Sequence, residues 1–471
     1  MLRYDLLVIG SGPAGQRAAV QASKRGRKAA IVEKLQVLGG VCINTGTVPS
    51  KTLREAVLYL TGYGQHGIYG ASYAVKENIT IEDLLTRCSF VIKREIDVLV
   101  AQMRRNNVEV LSGEASFTDP HTLQITNPRE TISAEADYIL IAAGTRPALP
   151  AGVTCDGEHL IDSDGILELK RLPRTLAVVG AGVVGLEYAS MFATLGTKVT
   201  LVDKRDRLLD FVDREIVEML SYHLRQLGTT MRLGEEVTQI RIVGDQAVAE
   251  LASGKTICAD MILFSAGREG ATGALNLAAA GLRADAKGRI DVDAHYRTAG
   301  PHIYAAGDII GFPNLASTSA EQGRLAAAHM FAGDTVTPMP RFFPYGIYTI
   351  PEISLVGPTE EELTQKLVPY VTGTARYREI ARGQMLGDDT GMLKLIVQRD
   401  TRRLLACHAF GTGAAELIHI AQAVIVLGGT LDYFLENVFN YPTLAECYKV
   451  AALDCANKLA VMRVLDRPMV G

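Results

Sequence analysis

The chain has 471 residues, too many for one hydrophobic core and enough for about three domains of roughly 100–200 residues each. With 48% hydrophobic and 21% charged residues it has the composition of an ordinary globular protein, which excludes disordered, collagen-like and mucin-like chains. A net charge of −4 offers no general electrostatic footprint for nucleic acid or an anionic membrane, so the expected partners are small molecules.

The first element is the apolar run Leu6-Leu7-Val8-Ile9, which leads straight into glycine and reads as a buried strand, not a signal peptide. Gly10-Ser11-Gly12-Pro13-Ala14-Gly15 follows, and then a predicted helix through Ala18, Ala19 and Ala22. In such a strand, GxGxxG turn and helix, the first glycine permits the turn, the second lets backbone approach a pyrophosphate, and the third lets helix and strand pack closely. The helix amino terminus then presents N–H groups and a positive dipole end to the phosphates. A second strand, Ala29-Ala30-Ile31-Val32, ends at Glu33, an acid placed to accept hydrogen bonds from a ribose diol.

Gly62-Tyr63-Gly64-Gln65-His66-Gly67 fits the same glycine pattern but follows a helical stretch (Leu53, Val57, Leu60) and precedes no helical one, so it is read as a surface loop. The whole unit recurs as the strand Thr175 to Val179, the turn Gly180-Ala181-Gly182-Val183-Val184-Gly185, the strand Val199 to Val202 and the acid Asp203. Both acids stand 23 residues after the first glycine of their unit, which marks an internal duplication. From the two units alone, either could hold NAD or FAD.

Further on, Leu393 to Val397 reads as an apolar strand and Leu417 to Leu427 as a helix, the latter interrupted by His419 and Gln422 and unsuited to a membrane. The seven cysteines (42, 88, 155, 258, 407, 447 and 455) are scattered and never spaced as CxxC. That argues against a disulfide framework or a zinc site, and for a cytoplasmic protein with reduced thiols and no metal.

Two further stretches carry a resemblance: Gly39-Gly40-Val41-Cys42-Ile43-Asn44-Thr45-Gly46-Thr47-Val48-Pro49-Ser50-Lys51 and Ile303-Tyr304-Ala305-Ala306-Gly307-Asp308. Here the sequence resembles the flavoprotein disulfide reductases, the class I pyridine nucleotide-disulfide oxidoreductases, over essentially its whole length. The resemblance implies that Gly10, Gly12, Pro13, Ala14, Gly15 and Glu33 bind FAD, and that Gly39, Gly40, Val41, Cys42 and Thr47 run along the isoalloxazine. It places Lys51 near flavin N5, Gly307 and Asp308 at the ribityl chain, Ala115, Ala143, Gly144 and Thr145 at further FAD contacts, and Leu315 and Ala316 at the pyrimidine edge. In the second unit it assigns Gly180, Gly182, Val183, Val184, Gly185, Asp203, Lys204, Arg205, Gly267 and Arg268 to NAD or NADP. Glu187 would face the nicotinamide and pair with Lys51, a charge network that can polarise the flavin and respond to hydride.

The implied architecture is α/β: two Rossmann-like dinucleotide-binding domains, for FAD and NAD(P), and a carboxyl-terminal α+β dimerisation domain. The expected boundaries are residues 1–148 and a return segment 273–341 for FAD, 149–272 for NAD(P), and 342–471 for the interface of a homodimer or larger homo-oligomer.

Two positions depart from the family's disulfide chemistry. The family motif is C-x4-C, because electrons leave reduced flavin by opening a disulfide; here Thr47 replaces the second cysteine and leaves Cys42 without a local partner. The family base is a His before Pro-Thr, oriented by a Glu; here Asn440-Tyr441-Pro442-Thr443 is followed by Glu446, and a free tyrosine, with a pKa of about 10, is a poor base near neutrality. What survives is the machinery that brings a nicotinamide to a flavin. Together with Tyr345 to Ser354, these motifs resemble the Si-specific branch that moves hydride between NADPH and NAD through FAD by a ping-pong cycle. Three alternatives stay open: a residual thiol reductase using Cys42, a diaphorase or oxidase with quinone or oxygen as acceptor, and a flavin-binding protein without turnover. Asp203 adds a difficulty, since it suits a free 2′-hydroxyl and repels a 2′-phosphate; Lys204, Arg205 and Arg207 offer compensating charge.

Overall fold

The structure is a computed structural model describing residues 1–150, 153–333, 336, 339–340 and 342–465. In the strand Leu2–Ile9, the side chains of Leu6, Leu7 and Val8 are wholly buried. A strand apolar on both faces belongs in the middle of a covered parallel sheet. It pairs in parallel with Ala29–Glu33 on one side and Thr131–Ile141 on the other. Glu109–Ser112 extends one edge, and the antiparallel strands Thr122–Thr126 and Glu114–Asp119 extend the other. Ile303–Ala305 returns from far along the chain to pair with Thr131–Ile141 as a seventh strand.

The second unit builds its own five-stranded parallel sheet in the order Thr230–Leu233, Lys198–Asp203, Thr175–Val179, Met261–Phe264, Leu160–Asp162. Between the two sheets, the short strands Thr145–Pro147 and Arg268–Gly270 pair antiparallel, so the chain leaves one unit and re-enters it side by side. A third, antiparallel sheet of five strands runs from Tyr345–Ile347 to Leu404–Phe410 and carries the helices Ala414–Val426 and Glu446–Leu465. This is the α/β architecture the sequence implies; of its boundaries, residue 341 lies outside the described residues.

Gly62 to Gly67, expected to be a loop, is helical instead. Gly62, in the left-handed region at φ 65°, closes the helix Thr47–Thr61, and the turns Tyr63–Gln65 and His66–Tyr69 follow it. The Tyr63 hydroxyl lies 2.6 Å from His223 Nε2 of the nucleotide unit, so this segment is packed between units.

One apolar core is continuous through all three parts, joining Leu53 and Val57 to Leu186, Phe192 and Leu220 and onward to Ile347, Ile350 and Phe410. Beside it lies a buried charge. Lys394, on the strand Met392–Gln398, is 2% exposed, and its ammonium donates to both Asp213 oxygens at 3.0 and 3.2 Å while pairing with Glu215 at 3.2 Å and with Glu360. Burial disfavours its charge, but the Glu360 and Asp213 carboxylates outweigh burial and hold it above the ordinary lysine range. Removing one partner from a buried pair strands the other. Lys394→Ala is therefore expected to destabilise the protein by about 3–5 kcal/mol in chemical denaturation. A loss below about 1 kcal/mol, the value of an exposed pair, would contradict that reading.

Candidate active site

The two glycine turns repeat each other in atomic detail. A Cβ on Gly15 would stand 2.0 Å from the Gly10 carbonyl oxygen, and one on Gly185 would stand 1.9 Å from that of Gly180. Each third glycine thus lets its helix seat against its own turn. Gly12 and Gly182, at the helix starts, instead look onto open space.

The first turn opens into a cavity of about 570 Å3 lined by Gly10, Gly12, Pro13, Ala14, Glu33, Gly40, Val41, Cys42, Thr47, Ala115, Ala143, Gly144, Thr145, Gly307, Asp308 and Ala316. Glu33 is fixed by its own turn: the Ser11 amide and hydroxyl donate to one oxygen at 3.0 and 2.6 Å, and the Leu35 amide donates to the other at 2.9 Å. Ser11 also accepts from the Gly39 amide at 2.8 Å, which ties the acid to the start of the helix Gly40–Asn44. Gly15, Gly39 and Leu315 do not line this cavity, whereas Asn314 and Ala316 do. At the far end, burial raises the Asp308 carboxyl above the usual range, opposed by Arg268 and by the Ser319 hydroxyl. Burial likewise raises the Cys42 thiol, opposed in part by the Thr47 hydroxyl, so it stays protonated near neutrality. Such a thiol is a poor nucleophile.

Several contacts here escape a reading of the sequence. The Gly307 amide donates to buried Gln322 at 2.9 Å, Ser319 reaches Asp308 at 3.3 Å, and both come from the helix Ala316–Ala332. The Thr45 hydroxyl is buried on the cavity wall with no partner of its own. A buried acid at the end of the second strand, an open glycine turn and an unsatisfied hydroxyl lining one cavity fit FAD.

The second turn opens into a cavity of about 710 Å3 lined by Gly180, Gly182, Val183, Val184, Asp203, Lys204, Arg205, Gly267, Arg268 and Ser163. Asp203 accepts from the Ala181 amide at 2.6 Å, as Glu33 does from Ser11, and from the Arg205 amide at 2.8 Å, but Arg205 also brings its charge. Arg205 grips it in a fork, Nε to one oxygen at 3.0 Å and Nη2 to the other at 2.8 Å. Burial pushes the Asp203 carboxyl up, yet the Arg205 and Ala181 hydrogen bonds outweigh it and hold the group below the usual range. Lys204 lies on the wall, whereas Arg207 turns away to Val212 and Glu361.

Lys51 and Glu187 bring the flavin and nucleotide units together, although neither lines either cavity. Lys51, one turn past Thr47 on the same helix, donates from Nζ to Glu187 Oε2 at 2.7 Å. The other Glu187 oxygen accepts from the Tyr348 amide of the third sheet's region at 2.9 Å, and the Tyr348 ring covers the ammonium at 5.0 Å. Tyr441 and Glu446 join neither cavity of the same chain: Tyr441 is exposed, while Glu446 has one buried oxygen without a partner.

The close approach of the third glycines separates the two cavities experimentally. Gly15→Val is expected to purify without flavin. Gly185→Val is expected to keep its yellow flavin, yet not be bleached by reduced nucleotide, as absorbance would show. Retention of flavin by Gly15→Val would contradict the assignment of the first cavity.

Comparison with known proteins agrees with this geometry. A family model described as pyridine nucleotide-disulphide oxidoreductase matches residues 4–323, and its dimerisation domain matches residues 343–452. The chain is 55% identical to a soluble pyridine nucleotide transhydrogenase of Mycobacterium bovis, over 99% of this chain and 100% of the relative. It is 44% identical to the protein of that name from Colwellia psychrerythraea, over 97% and 98%. Among solved structures, LpdA from Mycobacterium tuberculosis superposes with a TM-score of 0.88 at 26% identity, covering 96% of this chain and 99% of that one. The HOCl-induced flavoprotein disulfide reductase RclA from Escherichia coli, in its Cu(II) complex, does so at 0.87 and 27%, with the same coverage. The chain belongs to the pyridine nucleotide-disulphide oxidoreductase family.

Proposed function

We propose that the chain is a soluble pyridine nucleotide transhydrogenase, moving hydride reversibly between NADPH and NAD through bound FAD in a ping-pong cycle. The observation that carries this reading is the Lys51–Glu187 pair, which joins the flavin unit to the nucleotide unit, with Lys51 acting electrostatically on a lone, protonated thiol. All seven cysteines are free, and the position that would complete a redox pair with Cys42 is Thr47. Relatives at 55% and 44% identity that bear the transhydrogenase name support the same reading.

Bound flavin would supply reversible hydride acceptance at N5. The protein's part is binding, orientation and charge. Gly10, Gly12, Pro13 and Ala14 receive the FAD pyrophosphate at a helix start, and Glu33 takes the adenosine ribose. Gly180, Gly182, Val183 and Val184 repeat this for the nicotinamide nucleotide. Lys51 would set a positive charge near the isoalloxazine, and its ion pair with Glu187 would hold it there. Cys42 stays a thiol and takes no electrons.

Arg205 masks the charge of Asp203, so the adenosine end can accept a 2′-hydroxyl or, with Lys204, a 2′-phosphate. The matched dimerisation domain supports a homodimer, and Leu427, Val438 and Tyr441 leave large apolar surface exposed on that part. In that assembly Tyr441 and Glu446 would face the other copy's flavin cavity. Hydride is proposed to leave the Si face of the nicotinamide, and the protein to act in the cytoplasm without nucleic acid. Among the described residues, no helix is long and apolar enough to cross a membrane.

Two experiments test this reading. Anaerobic NADPH is expected to bleach the flavin, and NAD added afterwards to restore the oxidised spectrum. Slow return with NAD but fast return with air or a quinone would favour the diaphorase reading instead. In Arg205→Ala, uncovered Asp203 should raise KM for NADPH about tenfold, equivalent to about 1.4 kcal/mol, and that for NADH much less. Equal losses would contradict the masking role.

A further inference from the structure

The wall between the two cavities contains one ion pair with a foot on each side. Arg268 lines the nucleotide cavity, and Asp164 lines the flavin cavity. Arg268 is anchored to the flavin side through Thr145, donating from Nε to the hydroxyl at 2.9 Å and from Nη2 to the carbonyl at 3.0 Å. Its remaining nitrogen, Nη1, reaches Ser163 and Asp164 at 3.4 Å each, long contacts for a guanidinium and a carboxylate. Neither partner is sealed from solvent: the side chains of Arg268 and Asp164 are 25% and 31% exposed. Arg268 also partly opposes the burial that raises the carboxyl of Asp308 in the flavin cavity. A guanidinium with one weakly engaged nitrogen thus lines the cavity that would receive a nucleotide, while its counter-ion lines the flavin cavity.

We propose that Arg268 and Asp164 couple nucleotide occupancy to the redox state of the flavin. This rests on the transhydrogenase reading of the two cavities. When a nucleotide pyrophosphate enters, Nη1 of Arg268 exchanges Asp164 for phosphate, and the Asp164 carboxylate is left uncompensated beside the flavin. Flavin reduction adds negative charge, so the uncovered carboxylate disfavours it. By linkage, reduction of the flavin weakens nucleotide binding by the same factor. For a ping-pong cycle this has a use: the spent nucleotide loosens once its hydride has gone, and the second nucleotide takes its place. Asp164 is a positioning residue in this scheme, acting through Arg268.

The test uses ADP-ribose, which carries the pyrophosphate but no nicotinamide and so cannot exchange hydride. Its affinity is measured on the FAD holoenzyme, once oxidised and once reduced anaerobically with dithionite. We expect about tenfold weaker binding to the reduced form, equivalent to a fall of about 30 mV in the two-electron flavin potential on ADP-ribose binding. In Asp164→Asn the ratio should fall to near one with oxidised-state affinity retained or increased, since the competing carboxylate is gone, and Asp164→Glu should restore the ratio. Arg268→Gln should weaken binding to both forms and also abolish the ratio, which covers the case of a poorly folded Asp164→Asn. A ratio of one in the unaltered enzyme, or a tenfold ratio that persists in Asp164→Asn, overturns the inference. Neither outcome touches the proposed function, which fails separately if NADPH does not bleach the flavin.

Discussion

The arrangement of the molecule depends on one carboxylate with both oxygens engaged. Glu187 sits in the first turns of the helix Val183–Thr194, 4% exposed at its side chain, and binds Lys51 of the flavin unit with one oxygen and the Tyr348 amide with the other. Three separately built sheets therefore meet at a single group. A buried carboxylate is costly unless its charge and its hydrogen bonds are both satisfied. Both are satisfied only when flavin unit, nucleotide unit and third sheet are in register. The same condition fixes how the flavin unit and the nucleotide unit sit against each other.

Duplication gave the chain two copies of a nucleotide cradle, and a small chemical difference separates them. In the first, the residue between the glycines is Ser11, whose neutral hydroxyl satisfies Glu33 and leaves its charge intact. In the second it is Ala181, with no hydroxyl, and the acid Asp203 is gripped by the Arg205 guanidinium instead. An acid with its full charge suits a ribose diol and repels phosphate. An acid already neutralised by arginine tolerates either. The backbone geometry is shared, and the two units differ in what satisfies the carboxylate, the difference on which the proposed selectivity rests.

What was legible in the sequence was whatever is local. Gly10 to Gly15, Gly180 to Gly185 and their acids are read from spacing because backbone sterics and helix-start chemistry act within one turn. The family resemblance then reached Lys51, Glu187 and Asp308 across longer distances. Contacts made by folding alone were invisible: Gln322 on Gly307, Tyr348 on Glu187, and Asp164 across from Arg268. Lys394 is the clearest case, since in sequence it merely interrupts an apolar strand, and its acid partner Asp213 lies 181 residues away. Gly62 to Gly67 failed in the opposite direction. Its glycines suggested a loop, but Tyr63 packs on His223 and the segment coils into helical turns.

The central claim is that electrons stop at the flavin and never pass to a thiol. Anaerobic titration with NADPH, counting equivalents to complete reduction, tests it most directly. The account requires one NADPH per flavin, a two-electron end point, with no additional thiol appearing on the reduced protein. Uptake of two NADPH per flavin, with new titratable thiols, would contradict it and return Cys42 to a redox role.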